Sequence, residues 1–442
     1  MVDRLLLKFN PEIFKAYDIR GIYGRDFDEG FAFKLGMALV KYLQAKQLIV
    51  ARDLRGSSLA LADSFKDGIK SMGCDVLDLG PVTTPLFYFA IRKSGADGGA
   101  IITASHNPPE YNGFKIYRHK AMPVGSDSGL LDLQKILSGS VLERPKYAGK
   151  ELADGGIITK YTDLIIQKSG LGPGTVNLAV KISAEDLVRK ELEIIISTLG
   201  IHPVNDSHDV EFEFDFDGDR LAVLDSNVQK IRGDLVAGLL AGKLPSRFWS
   251  GPKLVHDSRF SRGVLNYLSA KGVKLIRSKV GHSFIKNMMR KHGADLGGEL
   301  SGHLYFKEIG YVESAILAML KIIKILNESN KNMGELVEPM TTWHNSGELN
   351  FQFPISPDSR SESRILDSTK WNRDNFQKIV TELKEKYKDG KIDELDGLTV
   401  EYDDWWFNLR PSNTEPVLRL VVEAKTQALL EKKIELEQAL DK

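Results

Sequence analysis

Three aspartates at alternate positions give this sequence its strongest chemical signal. Asp215, Asp217 and Asp219 lie in the run Asp-Phe-Asp-Gly-Asp-Arg, which ends at Arg220. Alternate carboxylates can turn toward one point where the backbone bends, and Mg²⁺ prefers such oxygen ligands. Gly218 allows the bend, and Arg220 could bind a phosphate oxygen or pair with an aspartate. A solvated acidic turn is the alternative, but the flanking apolar segments place the run at a strand end.

A serine at the end of a predicted strand is the second candidate. Ile101 and Ile102 lead into residues 103–109, Thr-Ala-Ser-His-Asn-Pro-Pro, where two prolines end regular structure. Open α/β sheets bind ligands at the carboxyl ends of their strands. We therefore expect Ser105 to carry a phosphoryl group, which a metal at the aspartates would neutralise and polarise for transfer. An ordinary turn serine is the alternative.

A glycine-flanked polar loop covers residues 297–303. In it, Glu299 can accept hydrogen bonds from two vicinal hydroxyls, Ser301 can donate or accept one, and His303 can move a proton. The glycines let the backbone approach a small ligand closely. Taken alone, this loop would be read as a surface turn.

A second polar loop covers residues 410–416. Arg410, Ser412, Asn413 and Thr414 offer a guanidinium, two hydroxyls and an amide beside free backbone donors. This set suits a dianionic phosphate better than a carboxylate or a neutral ligand. Arg419, on the next predicted strand, adds charge.

Alternating apolar periodicities predict the elements that position these loops. Residues 1–149 show strands at 48–50, 76–79 and 101–102 between helices at 31–43, 57–72 and 84–91, which predicts a parallel sheet with Ser57, Ser58 and Thr84 as helix caps. Residues 150–245 carry helices at 159–168 and 185–199 and strands at 176–182, 211–214 and 221–224. Residues 246–345 carry strands at 253–256 and 274–276 and helices at 261–271, 283–291 and 311–327. Residues 346–442 carry a loop at 354–363, strands near 349, 400, 407 and 420, and helices at 376–387 and 428–440, typical of an α+β domain.

Composition excludes several other classes of function. The 442 residues hold 60 Lys and Arg against 60 Asp and Glu, so no global nucleic-acid or anionic-membrane surface is expected. The single cysteine, Cys74, excludes an internal disulfide and a cysteine metal site, and predicts a buried, inert thiol on a core strand. We see no amino-terminal signal core, and Lys321 and Lys324 interrupt the most apolar later run. A cytoplasmic protein is expected.

Taken together, these motifs resemble one family, the α-D-phosphohexomutases, and most closely its bacterial phosphomannomutase/phosphoglucomutase members. Residues 103–108, 215–220, 298–303 and 410–416 carry the resemblance, in the family's order. Residues 14–21 (Phe-Lys-Ala-Tyr-Asp-Ile-Arg-Gly), 111–115 and 280–286 support it. The likeness runs from about Phe14 to the end of the chain.

The resemblance implies an α/β fold: three related α/β domains with mixed sheets and a C-terminal α+β domain, around a central cleft. It implies reversible phosphoryl transfer between C1 and C6 of hexose phosphates, through a phosphorylated Ser105 and a 1,6-bisphosphate that turns end over end. One Mg²⁺ per chain would be held by Asp215, Asp217, Asp219 and the Ser105 phosphate, with glucose 1,6-bisphosphate as activator. Hexose phosphates would be the small-molecule partners of a monomer or weak dimer.

The resemblance also implies roles for particular residues. Glu299 and Ser301 would contact the sugar, while Arg410, Ser412, Asn413 and Thr414 would hold the phosphate that is not transferred. Lys115 and His303 are the candidate general base and acid. Further matches to cleft positions are Tyr17, Arg20, His106, Arg259 and His282.

Some positions depart from the family pattern, and these leave alternatives open. The second domain lacks the length for a full unit between Gly174 and Asp215, so it is predicted to be shortened. Phe216 stands where a glycine is usual, as does Ala51, and Phe216 could perturb metal geometry. A phosphoglucosamine mutase and a weakly active or non-catalytic sugar-phosphate-binding relative remain alternatives. A haloacid-dehalogenase-type phosphatase with Asp215 as nucleophile fits poorly, because the motif lies mid-chain without the following Thr or Ser.

Overall fold

A computed structural model gives the structure of the chain and describes residues 9–105, 107–126, 128–139, 142–153, 156–245, 251–352, 373–412, 417–431 and 436. The chain forms two compact units. Unit 1 contains Met1–Arg232 and Ser301–Met333, and unit 2 contains Gly233–Leu300 and Gly334–Lys442. The division falls inside the predicted sugar-binding loop, between Leu300 and Ser301.

Strands and helices alternate through most of the described chain. The strands are β1 (Ile19–Ile22), β2 (Gln47–Arg52), β3 (Asp75–Pro81), β4 (Gly98–Ile102), β5 (Tyr111–Arg118), β6 (Met122–Pro123), β7 (Glu151–Ala153), β8 (Val180–Ser183), β9 (Val210–Phe214), β10 (Leu221–Asp225), β11 (Lys230–Ile231), β12 (Lys253–Asp257), β13 (Lys274–Ser278), β14 (Leu296–Gly298), β15 (Leu304–Phe306), β16 (Val312–Glu313), β17 (His344–Gln352), β18 (Lys391–Asp393), β19 (Leu398–Glu401), β20 (Trp405–Pro411) and β21 (Val417–Ala424). The helices are α1 (Glu29–Leu43), α2 (Ser58–Ser71), α3 (Thr84–Ser94), α4 (Leu130–Gly139), α5 (Ile157–Ser169), α6 (Asp186–Leu199), α7 (Gly233–Ala241), α8 (Arg262–Ala270), α9 (His282–His292), α10 (Ala315–Ser329), α11 (Met333–Val337) and α12 (Arg373–Lys386).

The first sheet of unit 1 is mixed, in the order β1-β5-β4-β2-β3-β7, with β6 paired to β5. Strand β2 runs parallel to β3 and β4, and β3 runs parallel to β7. Strand β5 runs antiparallel to β1, β4 and β6, so the parallel sheet predicted from the alternation is wrong, and the mixed sheets implied by the family resemblance are confirmed. The sequence did not indicate β5 because its interior is buried on both faces, which removes the alternation that marks a strand.

Two of the predicted helix caps differ from expectation. Ser57 is at the amino terminus of α2 without a capping hydrogen bond. Its hydroxyl accepts instead from the Asn112 side chain at 2.8 Å. The cap of α3 is Thr83, whose hydroxyl accepts from the Leu86 N–H, one residue before the predicted Thr84. The Thr84 hydroxyl instead donates to Asp217, in the loop that carries the three aspartates.

The second sheet of unit 1 has the order β11-β10-β9-β8. Strands β8 and β9 are parallel, whereas β9, β10 and β11 are antiparallel. The predicted strand at 176–182 begins later, at Val180, and the predicted helix at 311–327 begins at Ala315, because β16 pairs with β15 first. The turn between β9 and β10 carries the three aspartates.

Unit 2 contains strands of two sheets. Strand β12 runs parallel to β13 and β14, with α7, α8 and α9 in the same segment. The carboxyl-terminal sheet is antiparallel, in the order β17-β21-β20-β19-β18, and an apolar cluster around Phe407, Leu409 and Leu420 packs with α12. The α+β prediction is confirmed here. The predicted loop at 354–363 lies outside the described residues, as does most of the predicted helix at 428–440.

Two expectations about burial and length agree with the structure. None of the helices described is both long and apolar enough to span a bilayer. Cys74 is buried, although it precedes β3 rather than lying on it. Burial raises the pKa of its thiol to about 12, which keeps the thiol protonated and inert at neutral pH.

Candidate active site

The acidic loop, residues 215–220, turns its three aspartates toward one point. One carboxylate oxygen from each of Asp215, Asp217 and Asp219 lies within 4.8 Å of the others. Gly218 forms the bend at φ +73°, and a Cβ there would meet side-chain atoms of Thr83 and Val188 at 3.1 Å. The bend therefore requires glycine for both its conformation and its contacts. The convergence that the sequence predicted is present.

Lys115 on β5 joins two of these carboxylates. Its ammonium lies 2.7 Å from Asp217 Oδ2 and 2.7 Å from Asp219 Oδ2, and all three side chains are buried. Although burial opposes it, the two carboxylates raise the pKa of Lys115 well above its usual value. Burial and Asp219 act to raise the pKa of Asp217, but Lys115 holds it below the usual range. In this structure Lys115 is the internal cation of the acidic loop.

The neighbours of Asp215 and Asp217 differ. Burial, with Asp219 and Asp217 nearby, raises the pKa of Asp215 well above its ordinary value. Its carboxylate accepts the N–H groups of Asp219 and Arg220 at 3.1 Å and pairs with Arg220 Nε at 3.1 Å. Asp217 Oδ2 accepts the Thr84 hydroxyl at 2.9 Å. The other oxygen of Asp217 is buried and has no hydrogen-bond partner among the described residues, which fits a bound divalent cation.

Ser105 follows β4 in a strained backbone conformation. Its φ is +50°, a left-handed value that is unusual for a residue with a Cβ. The Ser105 N–H donates to the Thr103 hydroxyl at 2.9 Å, and the residue is 4 % exposed. Arg220 Nη2 donates to Ser105 Oγ at 3.5 Å. Arg220 therefore contacts both the serine hydroxyl and an aspartate of the acidic loop, which brings the two strongest candidates together.

Arg55, which was not among the predicted residues, holds the serine loop (residues 103–109) in place. Its guanidinium donates to the carbonyl oxygens of Ser105 and Asn107 at 2.6 Å, of Pro108 at 2.7 Å and of Tyr111 at 3.1 Å. The same guanidinium lies 5.2 Å from the centre of the Phe216 ring. Arg55 thus links the serine loop to the acidic loop through the residue that replaces a usual glycine.

Residues 301–303 belong to the same unit as the acidic loop. His303 Nε2 lies 3.3 Å from Asp219 Oδ1, and its Nδ1 is 2.9 Å from the Ser301 hydroxyl. The backbones of His303 and Arg220 form an antiparallel bridge. Gly302 adopts φ +92°, where a Cβ would lie 2.6 Å from the Leu221 carbonyl oxygen. A proton-moving group therefore sits beside the aspartates.

Tyr17, Arg20 and His106 were further candidates, matched to cleft positions of the family. Arg20 donates to the Asn107 side chain at 2.6 Å and pairs with Asp18 at 2.5 Å, so it too contacts the serine loop. Tyr17 is half-buried ahead of β1. His106 lies outside the described residues.

In unit 2, Glu299 is fixed at the end of β14. It is 2 % exposed, and its Oε1 accepts the Gly281 N–H at 2.8 Å. Gly281 precedes α9, whose first residue is His282. Glu299 and His282 therefore lie on adjoining segments, whereas Ser301 and His303 belong to unit 1.

Three arginines of unit 2 meet on one carboxylate; we call Arg259, Arg410 and Arg419 the arginine cluster. Their guanidiniums lie 2.7, 3.2 and 2.8 Å from Glu348, respectively. Arg410 is almost fully buried beside Ser412, which is 6 % exposed. Asn413 and Thr414 lie outside the described residues. Glu348 was not predicted, because nothing in the local sequence pattern marks it as a partner of distant arginines.

Known proteins of one family are similar to this chain in sequence and in structure. Family models of phosphoglucomutase/phosphomannomutase match residues 11–135 (alpha/beta/alpha domain I), 232–343 (alpha/beta/alpha domain III) and 370–436 (C-terminal domain). A phosphomannomutase of Methanocaldococcus jannaschii is 35% identical, over 96% of this chain and 96% of its own length. One from Escherichia coli (strain K12) is 31% identical, over 93% and 94%. The crystal structure of a phosphoglucomutase/phosphomannomutase family protein from Burkholderia thailandensis aligns with a TM-score of 0.82 at 26% identity, covering 98% of this chain and 97% of its own.

Proposed function

Because the chain belongs to the phosphoglucomutase/phosphomannomutase family, we propose that it transfers phosphate between C1 and C6 of glucose and mannose phosphates, through a phosphorylated Ser105. Family membership makes it a hexose-phosphate mutase, an isomerase. The observation that carries the mechanism is the position of Arg220, which contacts Ser105 Oγ and Asp215 at once. A phosphate on Ser105 would then lie beside the acidic loop.

The transfer exchanges one P–O bond for another. A free hydroxyl of the hexose phosphate attacks the phosphorus on Ser105, the P–Oγ bond breaks, and a sugar 1,6-bisphosphate forms. The hydroxyl loses its proton to a base, and Ser105 Oγ gains one from an acid. Lys115 and His303 are the candidate base and acid. Asp217 and Asp219 hold the Lys115 ammonium in this structure, so the base role proposed for Lys115 requires these contacts to open. Reversal of the bisphosphate and return of its other phosphate to Ser105 complete the cycle.

Asp215, Asp217, Asp219 and the phosphate on Ser105 would hold one Mg²⁺. The buried, unpartnered oxygen of Asp217 supports a cation site there. Bound Mg²⁺ would supply positive charge that neutralises the phosphoryl group. Arg220 adds a fixed positive charge from the protein itself.

The remaining predicted residues are proposed to hold the sugar phosphate. Glu299 and Ser301 would bind the sugar hydroxyls, and Arg410, Ser412, Asn413 and Thr414 the non-transferring phosphate. The other proposed cleft residues are Tyr17, Arg20, His106, Arg259 and His282. We propose domain boundaries at 1–149, 150–245, 246–345 and 346–442, with the second domain shortened. Activation by glucose 1,6-bisphosphate, a cytoplasmic location and a monomer or weak dimer stay predictions.

A coupled assay with glucose 1-phosphate and mannose 1-phosphate tests the function, with Mg²⁺ and with or without glucose 1,6-bisphosphate. Ser105→Ala is expected to lower kcat by several orders of magnitude, because the phosphoryl carrier is lost. Intact mass should show one phosphate on the native protein and none on the variant. Ser94→Ala is the matched control, since that hydroxyl donates to the Ala90 carbonyl and accepts the Ala96 N–H, both at the end of its own helix.

Each alternative has its own outcome in this assay. Activity that survives Ser105→Ala would exclude the phosphoserine mechanism. Steady release of inorganic phosphate would indicate a phosphatase, although the hydrogen bonds from Arg220 and Asp219 leave Asp215 poorly suited as a nucleophile. A higher rate on glucosamine phosphate would make the enzyme a phosphoglucosamine mutase. Binding without turnover would indicate a non-catalytic relative.

A further inference from the structure

Glu348 is the anion on which the arginine cluster meets. Its Oε2 lies 2.7 Å from Arg259 Nη1 and 3.2 Å from Arg410 Nη2, and its Oε1 lies 2.8 Å from Arg419 Nη1. Although burial opposes it, the arginines, Arg259 foremost, hold the pKa of Glu348 down at about 2. The carboxylate is therefore charged at every physiological pH.

An irregularity in β17 directs the Glu348 side chain toward these arginines. The pairing of β17 with β21 shifts between Asn345 and Glu348, which is a β-bulge. Gly347 sits in it at φ +71°. Bulges re-aim the side chain that follows them. Arg410 and Arg419 are cross-strand neighbours on β20 and β21, so Glu348 faces a pair of like charges that the sheet itself brings together.

Three guanidiniums and two carboxylates pair with one another in this region, since Arg259 also pairs with Asp257 at 2.5 Å. Burial and Arg259 lower the pKa of Arg410, while the nearby carboxylates of Glu348 and Asp396 act in the opposite direction. Nε of Arg259 and Nε of Arg410 are buried without a hydrogen-bond partner among the described residues. The arginines therefore offer more donors than Glu348 and Asp257 use, which suits an additional anion.

Solvent reaches this region through Glu348 and Arg419. Their side chains are 20% and 22% exposed, against 2% for Arg410. An incoming phosphate dianion would thus meet a carboxylate that already occupies the guanidinium donors it needs. The phosphate and the Glu348 carboxylate are both negative, so they repel each other when both lie against the same guanidiniums. This repulsion is stronger in a partly desolvated site than in water.

We propose that Glu348 is an internal counter-anion that competes with the substrate phosphate for the arginine cluster and so sets how tightly that phosphate is held. The inference rests on the proposed role of Arg410 in binding phosphate. It also explains why a mutase would keep a carboxylate there. The bisphosphate has to be released and held again by its other end, so a grip without an internal competitor would slow the exchange.

Glu348→Gln tests this with inorganic phosphate as the probe, by calorimetric titration of the full chain. The amide keeps the size of the side chain and removes its charge. Phosphate is expected to bind roughly tenfold more tightly. In the mutase assay, KM for glucose 1-phosphate should fall and kcat should fall with it, a split that a merely structural role would not produce. Glu401→Gln is the matched control, because Glu401 pairs with Arg262 and Arg277 of the same unit and with none of the cluster.

Weaker or unchanged phosphate binding by Glu348→Gln would overturn the inference, since it would make Glu348 a scaffold for the arginines or irrelevant to phosphate. If the glutamine variant does not fold, Glu348→Asp retains the charge but reaches less far. It is then expected to bind phosphate more tightly than the native protein, and weaker binding would overturn the inference. Native protein that binds no phosphate would also overturn it. Native protein that binds phosphate but does not isomerise hexose phosphates would overturn the proposed function and leave the inference standing.

Discussion

The acidic loop of unit 1 and the arginine cluster of unit 2 solve the same electrostatic problem with opposite signs. In the first, two buried carboxylates share the ammonium of Lys115. In the second, three guanidiniums share the carboxylate of Glu348. In each region one internal counter-ion contacts several like charges, which limits the cost of burying them. A second counter-ion, Arg220 in unit 1 and Asp257 in unit 2, pairs with one member of the set.

The two regions differ in the kind of buried polar atom that has no hydrogen-bond partner among the described residues. In the acidic loop such an atom is an oxygen of Asp217, an acceptor that suits a cation, whereas in the arginine cluster such atoms are Nε of Arg259 and Nε of Arg410, donors that suit an anion. Removing Lys115 or Glu348 should therefore destabilise the protein without its ligand and strengthen the binding of that ligand, a cation in unit 1 and an anion in unit 2.

Lys115→Met is the largest test of this comparison. Methionine keeps the unbranched stem but leaves the buried carboxylates without their cation, so we expect a loss of about 3–5 kcal/mol of stability in EDTA. Added Mg²⁺ should then raise the melting temperature more in the variant than in the native protein. Calorimetric melting in EDTA and at increasing Mg²⁺ measures both quantities.

Lys135→Met is the control for this experiment, because Lys135 is 77% exposed and pairs only locally with Asp132. Its melting temperature should stay near the native value in both conditions. Equal increments from Mg²⁺ in Lys115→Met and native protein would contradict the comparison, and would mean that Lys115 does not occupy the place of a cation.

The two regions also differ in how far they could be predicted from sequence. The aspartates of the acidic loop lie within five residues, so their spacing alone predicts a shared site. The partners in unit 2 are far apart: Glu348 is 89 residues from Arg259 and 62 from Arg410. Local patterns carry no information about such contacts, and so Glu348 was missed although the arginines were noticed.

The contrast between local patterns and long-range contacts also explains which other elements could be predicted. Amphipathic helices such as α1 and α6 fall within a few residues of their predictions, since their periodicity is local. Strand β5 and the loop contacts of Arg55, which span 50 to 56 residues, depend on tertiary pairing and were not predicted. Phe216 was noticed only as a departure from the family pattern, and its contact with Arg55 gives it a structural reason.

Glu191 extends the comparison to a buried carboxyl that accepts hydrogen bonds from the N–H and hydroxyl of Thr83 at 3.1 and 2.8 Å. Burial raises its pKa from 4.5 to about 7. A raised carboxyl pKa favours the folded state below pH 4.5, and that contribution is lost as the pH rises through 7. Above pH 7 the folded protein carries a buried charge, at a cost of about 3 kcal/mol.

Glu191→Gln keeps this position neutral at every pH. At pH 5 the melting temperature of the variant should be close to that of the native protein. The variant should melt at a higher temperature at pH 8, and the difference in melting temperature should grow steadily from pH 5 to pH 8. Glu193→Gln, on the exposed side of the same helix, is the control and should show no such trend. A difference in melting temperature that stays constant from pH 5 to pH 8 would mean that Glu191 is already charged in the folded state. Protonation would then not be how this protein buries the Glu191 carboxyl.

Phe216→Leu gives the smallest expected effect. It tests whether the contact between the Phe216 ring and the Arg55 guanidinium helps to hold the serine loop beside the acidic loop. Leucine keeps the apolar bulk but removes the ring beneath the Arg55 guanidinium, a contact worth about 0.5–1 kcal/mol. If that contact holds the serine loop against the acidic loop, kcat should fall roughly two- to fivefold while the Mg²⁺ dependence stays the same. Phe33→Leu removes a ring at the same 5.2 Å distance from Arg144 and should leave kcat unchanged. Equal rates in both variants would mean that the hydrogen bonds from Arg55 to four carbonyl oxygens suffice to hold Ser105, and that Phe216 only fills the place of the usual glycine.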